Sequence, residues 1–208
     1  MPSTLCDRDG VQPRDSYHHG DLRTALVAAG VRAARAGGPD AVRLNRLAAE
    51  VGVSASAAYR HFPDGLTELL VAVGDVGRAE LAERLTTRVQ AVEQDVDPGV
   101  TATRRFRASG RAYVEYVTEQ PGLFQVSCRY DRGRVEGADP HALLEERLDD
   151  LVRTGRLPAE RRPWASTAAW ATVHGLALLL TEGPLRRLPA EQRRLAVERA
   201  LDTVERGL

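Results

Sequence analysis

The sequence contains no lysine, so arginine supplies all of its permanent positive side-chain charge. The 29 basic and 29 acidic residues cancel to a formal net charge of zero. The chain as a whole therefore lacks the basic excess that commonly marks a nucleic-acid-binding protein. Any case for binding DNA must rest on a local motif.

Cysteines and long apolar runs are also scarce. Cys6 and Cys128 lie far apart and have no metal-site spacing, which argues against a disulfide framework and a structural zinc site. No run of about 18 apolar residues is present to span a membrane, and the polar first residues do not resemble a signal peptide. With 43% hydrophobic residues in a chain of 208, we expect a cytoplasmic globular protein with a sizeable core.

The first third of the chain reads as a polar leader followed by short helices. Residues 1–16 have no apolar period and are expected to form a flexible leader. From Tyr17, apolar residues recur at helical spacing until the "AGGPD" break, and a second helix ends near Val51. A third helix of less than three turns runs to about His61, and a long fourth helix begins near Leu66.

The rest of the chain has helical periodicity interrupted by Pro and Gly, with no convincing alternating strand, which predicts an all-α fold. The penultimate helix is apolar almost all round, and the last is amphipathic with Val197, Leu201 and Val204 on one stripe. We expect these two helices to form a four-helix bundle with a second copy; a monomer that buries the apolar helix is the alternative. The predicted helices span roughly 101–119, 121–129, 140–155, 161–182 and 189–206.

The segment from Leu44 to His61 meets the physical requirements of a helix-turn-helix motif. Ala48 is small where the two helices cross, Gly52 can take the positive φ of the turn, and Ser54 can cap the following helix. Such a motif presents the N-terminal part of its second helix to the major groove of DNA. The residues alone leave a generic helical hairpin as an equal alternative.

Two regions of the chain resemble the TetR family of transcriptional regulators. "YHHGDLRTALVAAGVRAARAGG" and "LAAEVGVSASAAYRHFPD", followed by a Leu-rich helix, are similar in order and spacing to the family's DNA-binding domain. "YVEYVTEQPGLFQVSC" and "WATVHGLALLL" resemble the C-terminal domain of a subgroup named for its Trp-His-Gly (WHG) signature. The resemblance implies a homodimer with a helix-turn-helix DNA-binding domain at 17–64 and an effector-binding and dimerisation domain at 65–208.

The resemblance also implies which residues face DNA. Serine and alanine at the start of the third helix would allow close approach to base edges, and Tyr59 and His61 would contact phosphates. Arg60 is an additional cation beside them. With Arg60 added to the residues that the resemblance implies, the predicted DNA-binding residues are Asn45, Ser54, Ala55, Ser56, Ala57, Tyr59, Arg60 and His61.

Two positions depart from the family pattern. Gly65 stands where members commonly carry a phosphate-contacting lysine, and Arg43 stands where a serine or threonine usually caps the second helix. Residues 1–66 contain eight arginines against seven acidic residues. We therefore expect modest non-specific affinity for DNA and a shallow salt dependence.

Aromatic residues in the body are candidates for an effector pocket, although they are equally candidates for the core. His174 could act as a general base, but no other residue has a spacing that would complete a catalytic set, so we expect no enzyme. His18 and His19 are not expected to bind a metal, and no cofactor is predicted. The pocket candidates are Phe106, Tyr113, Tyr116, Phe124, Trp164, Trp170 and His174.

The sequence therefore predicts a DNA-binding transcriptional regulator that acts as a repressor. A small-molecule effector is expected to release it from a palindromic operator, which is the double-stranded DNA partner of the dimer. The alternative is a helical ligand-binding or enzymatic dimer that has lost DNA recognition, and Gly65 is the residue that favours it.

Overall fold

The structure is a computed structural model that describes residues 19–130 and 139–208. The leader predicted at 1–16, and with it Cys6, Tyr17 and His18, lies outside the described residues. The described residues form α-helices joined by turns and short 3-10 segments, as the all-α prediction requires. The helices are α1 His19–Gly37, α2 Leu44–Val51, α3 Ala55–His61, α4 Leu66–Gln90, α5 Pro98–Glu119, α6 Pro121–Arg129, α7 Pro140–Arg153, α8 Arg162–Thr181 and α9 Ala190–Gly207.

The first core joins α1, α2 and α3 to the beginning of α4. Leu26, Phe62 and Leu69 are completely buried in it. Two residues of α6, Leu123 and Val126, belong to the same buried cluster although they come from the second half of the chain. The N-terminal helices, which we call the head, are thus held to the rest of the protein by α4, which runs on without a break, and by α6.

The remaining helices pack into the body around two further apolar clusters. The apolar stripe of α9 lies inside these clusters: Leu201 is only 2% exposed, and Val197 and Val204 are buried with it. The amphipathic pattern correctly located the apolar face of α9. The surface that covers that face belongs to the same chain rather than to a second copy. Within the described residues, no helix has the combination of length and hydrophobicity needed to cross a membrane.

Arg107 ties α5 to α9 through three carboxylates. Its guanidinium lies 2.8 Å from Glu198, 2.7 Å from Asp202 and 2.8 Å from Glu205, and its side chain is 19% exposed. Burial alone would lower the pKa of Arg107, but the hydrogen bonds that its guanidinium donates to Glu205, Asp202 and Glu198 raise that pKa above the ordinary value. The cation is therefore a fixed centre of charge between the two helices.

We expect Arg107→Met to destabilise the protein by about 2 kcal/mol, because three neighbouring carboxylates lose their common cation. Urea unfolding measures the loss. The matched control is Arg104→Met on the same helix, whose single contact with Asp95 at 3.1 Å is half-exposed; it should cost no more than about 0.5 kcal/mol. Equal losses in the two variants would contradict this account of α9 docking.

Candidate functional site

The turn between α2 and α3 has the geometry that its residues predict. Gly52 ends α2 in the left-handed conformation with φ of 82°, a region that only glycine adopts without strain. Ala48 is completely buried at the crossing. Ser54 caps α3, its hydroxyl accepting a hydrogen bond from the backbone N–H of Ala57 at 3.2 Å. The turn therefore sets the angle between α2 and α3 within the head.

α3 buries one side and exposes the other. Ala58 and the following Phe62 are fully buried, whereas the opposite side of the helix carries serine and alanine side chains in solvent. Tyr59 is 46% exposed. Of the residues predicted to face DNA, Ala57 and His61 are half-buried, and the exposed ones are Asn45, Ser54, Ala55, Ser56, Tyr59 and Arg60.

Arg23 of α1, which has no local sequence signature, fixes the C-terminal end of α3. Its guanidinium donates to the backbone carbonyl of His61 at 2.6 Å and pairs with Glu68 of α4 at 3.1 Å. The same group lies over the ring of Phe62, 4.5 Å from its centroid. A cation at a helix C-terminus is favourable for the helix dipole, so Arg23 holds α3 by both its charge and its packing.

The start of α4 explains why Gly65 replaces a longer residue. Gly65 has a φ of 66°, a backbone conformation that residues with a Cβ rarely adopt. A Cβ added to Gly65 would lie 3.3 Å from the ring of Tyr59. The carboxylate of Glu68 accepts a hydrogen bond from the backbone N–H of Asp64 at 3.3 Å. A lysine at this position would strain the turn that supports Tyr59.

Two separate pockets divide the aromatic residues of the body. An inner cavity of about 30 Å³ lies among α4, α5, α7, α8 and α9, and Phe106, Tyr113 and Trp170 are in its wall. Phe124 and His174 line a second pocket of about 440 Å³ at the junction with the head. Both residues contact Tyr113, which is in the wall of the inner cavity. The hydroxyl of Tyr113 is 2.8 Å from His174 Nδ1, and its ring packs edge-on against Phe124.

The other two aromatic candidates lie away from both pockets. The hydroxyl of Tyr116 donates to the backbone carbonyl of Gly77 at 2.9 Å, and the side chain is buried between α4 and α5. Trp164 is 78% exposed on the outside of α8. Their aromatic side chains had placed these residues in one group with the pocket candidates, but their neighbours in the fold separate them. Burial raises the pKa of Tyr113 and of Tyr116 far above the ordinary value, so both are neutral phenols.

α6 connects the head to the body at very short range. A Cβ added to Gly122 would lie 2.2 Å from the backbone oxygen of Ala34 in α1, so no larger residue fits without separating the two helices. The guanidinium of Arg78 in α4 donates to the carbonyl of Ser127 at 2.7 Å. On its other side, α6 is linked to the end of α8 by the hydrogen bond from Gln125 to Glu182 at 2.6 Å. α6 therefore contacts α1, α4 and the residue that ends α8.

The outward face of α8 is apolar and uncovered in the protomer. It runs from Trp164 to Leu179, which is 43% exposed, and no acidic residue or arginine occurs between Arg162 and Glu182. The residues between the two ends are small, which would let another helix approach closely. The small exposed residues are Thr167, Ala168 and Ala171, followed by the half-buried Gly175.

Two protein-family models match the chain. Residues 26–73 match "Bacterial regulatory proteins, tetR family", and residues 106–204 match "Tetracyclin repressor-like, C-terminal domain". No curated protein matches the sequence significantly. The first match spans α2 and α3 and so coincides with the helix-turn-helix geometry.

Solved structures share the fold over nearly the whole chain. A protein of unknown function from Rhodococcus sp. RHA1 is 29% identical, with a TM-score of 0.69 over 95% of this chain and 98% of that one. AibR, solved in complex with isovaleryl coenzyme A and operator DNA, is 18% identical, with a TM-score of 0.53 over 89% of this chain and 97% of its own. These likenesses agree with the all-α architecture described above.

Proposed function

We propose that this chain, which joins the N-terminal helix-turn-helix domain of the TetR family to a TetR-like C-terminal domain, represses transcription from a palindromic operator until a small-molecule effector releases it. It is a ligand-responsive, DNA-binding transcriptional regulator. We place the domain boundary between residues 64 and 65, just before α4, and we place the protein in the cytoplasm. The Trp170, His174 and Gly175 positions of α8 favour the WHG subgroup.

The observation that carries the proposal is the exposed edge of α3. Its leading residues are serine and alanine in solvent, the helix begins at the Ser54 cap, and Arg23 holds its far end. A helix edge without long side chains can lie deep in a major groove, where alanine methyl groups contact thymine methyls and hydroxyls reach base edges. Tyr59 and Arg60, both exposed, are then positioned for the flanking phosphates.

The experiment is an equilibrium titration of the protein against the DNA upstream of its own coding sequence, at two salt concentrations, beside a scrambled duplex of equal length. We expect tight binding to the upstream DNA only. Tyr59→Ala should weaken binding to both duplexes by a similar factor of about 10, because a phosphate contact stabilises every sequence alike. Equal affinity of the wild-type protein for both duplexes would contradict the proposal.

We propose that the repressor is a homodimer through the last two helices, with α8 providing most of the contact. The uncharged face between Trp164 and Leu179 supports this, because isologous contact of such a face with its copy buries apolar surface. Leu195 of α9 is 52% exposed and adds an apolar residue outside the α9 stripe. The stripe itself is unavailable, since it packs inside the protomer.

Effector release is proposed to act through α6. The inner cavity of about 30 Å³ is far smaller than the roughly 300 to 1,000 Å³ of ordinary ligand sites. A ligand that enters it must push the surrounding helices apart, and the contacts of α6 with α1, α4 and α8 carry that displacement to the head. AibR, with its acyl coenzyme A and operator DNA, is a protein of the same fold that binds both kinds of partner.

We propose no catalytic role for this protein. His174, the one candidate base on the apolar helix, already shares a hydrogen bond with the buried hydroxyl of Tyr113. That contact favours a histidine that positions an aromatic side chain in the cavity wall.

A further inference from the structure

The inner cavity has a wall without charge. All twelve residues that line it are uncharged, and most are aliphatic or aromatic. A carboxylate, phosphate or ammonium group placed there would lose its hydration without gaining a counter-ion, which disfavours the binding of a charged ligand. The charge of a ligand is therefore restricted by the wall itself.

The hydroxyl of Ser109 in this wall has no hydrogen-bond partner among the described residues. The buried polar residues of the described chain are Thr101, Ser109 and Ser127. The Thr101 hydroxyl accepts from Asp95 N–H at 2.8 Å, and the Ser127 hydroxyl donates to Leu123 at 3.0 Å. Ser109 is only 6% exposed and lines the cavity, yet its hydroxyl makes no hydrogen bond in the part of the chain that the structure describes.

A second unmet donor lies next to the cavity. Leu85 and Ser109 also line an outer pocket of about 220 Å³ between α4 and α7, which Arg147 borders. The guanidinium of Arg147 is paired with Glu146 at 3.1 Å and Asp150 at 3.5 Å, but its buried Nε has no acceptor within the described residues. Since its charge is already balanced, Arg147 favours a neutral acceptor over an anion.

We propose that the ligand of this cavity is an uncharged, mainly apolar molecule with a carbonyl-type oxygen. The apolar part replaces the contacts among the aliphatic and aromatic wall residues, and the oxygen accepts a hydrogen bond from Ser109. A second neutral acceptor on a longer ligand would satisfy Arg147 Nε in the outer pocket. The inference rests on the proposed function only in treating this cavity as the effector site.

The test compares ligands of equal size and different charge by calorimetric titration of the full-length protein at pH 7 without DNA. The linear set is 2-octanone, octanoate and octylamine, and the aromatic set is acetophenone, benzoate and benzylamine. In at least one set we expect the ketone to bind at least tenfold more tightly than both charged analogues. The proposal would be overturned if, in both sets, a charged analogue bound as tightly as the ketone. It would also be overturned if neither ketone showed saturable binding.

The variant Ser109→Ala tests whether the hydroxyl of Ser109 binds the ligand or stabilises the fold. Because the hydroxyl has no partner in the ligand-free protein, its removal should leave the melting temperature unchanged or raise it. Ketone affinity should nevertheless fall at least fivefold. The control is Ser127→Ala, which removes a buried serine hydroxyl outside the cavity and should leave ketone affinity unchanged. Unchanged ketone affinity in Ser109→Ala would refute the role of Ser109 in ligand binding, whatever the melting temperature.

A parallel DNA titration distinguishes failure of this inference from failure of the proposed function. Ketone binding that follows the predicted order in a protein that does not bind DNA would leave the ligand class standing and refute the regulator. Sequence-dependent DNA binding in a protein that prefers the charged analogues would support the regulator and refute the proposed ligand class.

Discussion

Ala55→Glu should abolish sequence-dependent DNA binding without unfolding the protein. Ala55 is the exposed first residue of α3, and a glutamate at a helix N-terminus is favourable for the helix dipole. In the complex, its carboxylate would face the phosphates and the base edges of the groove. We expect affinity to fall by at least a factor of about 100, since close like-charge contacts cost several kcal/mol.

Fluorescence anisotropy with a labelled duplex from the upstream DNA measures this effect, and circular dichroism checks the fold. The matched control is Ala36→Glu, which makes the same change at an exposed position near the end of α1 that contacts α6. It should bind DNA within about twofold of wild type, because exposed charges separated by more than a Debye length of about 8 Å are largely screened. Comparable losses in both variants would mean that α3 is not the DNA-reading element.

Ala171→Arg should convert the protein to a folded monomer that has lost its high affinity for the operator. Ala171 is exposed in the protomer at the middle of the apolar face of α8, so the arginine disturbs no contact within the chain. In a dimer, two such arginines would be buried near the symmetry axis without partners, at a cost of several kcal/mol. A monomer binds only one half-site, so the gain from linking two heads disappears.

Light scattering coupled to size-exclusion chromatography gives the mass of Ala171→Arg, and the DNA titration gives its affinity. The control is Val96→Arg, which adds the same charge at a fully exposed residue between α4 and α5. It should remain a dimer with wild-type affinity. A dimeric Ala171→Arg, or a wild-type protein that is itself a monomer, would refute the proposed interface.

The features that sequence reasoning predicted well are local ones. Gly52 and Ser54 have their roles because a positive φ and a helix cap are properties of single residues and their immediate neighbours. The helix positions were also predicted well, because the spacing of apolar residues is a local property of the sequence. The predicted segment 121–129 agrees with α6, and the predicted 140–155 differs from α7 by two residues.

What the sequence could not supply is the identity of the neighbours across helices. The stripe on α9 predicted an apolar face correctly, but a period does not tell whether the covering surface is the same chain or another. Tyr116 and Trp164 were grouped with Tyr113 as large aromatic residues, yet Tyr116 packs between helices and Trp164 faces solvent. Arg23, Ser109 and Gly122 have no local signature, because their roles arise from groups about 40 or more positions away or on several other helices.

The most direct test of the central claim is a hydroxyl-radical footprint of the wild-type protein on the DNA upstream of its own coding sequence. Two copies of α3 related by a two-fold axis should protect two segments in an inverted repeat, with half-site centres spaced about one or two helical turns apart. Ala55→Glu should leave the same DNA unprotected. A single protected segment, or uniform protection without sequence preference, would contradict a dimeric regulator that reads its operator with α3.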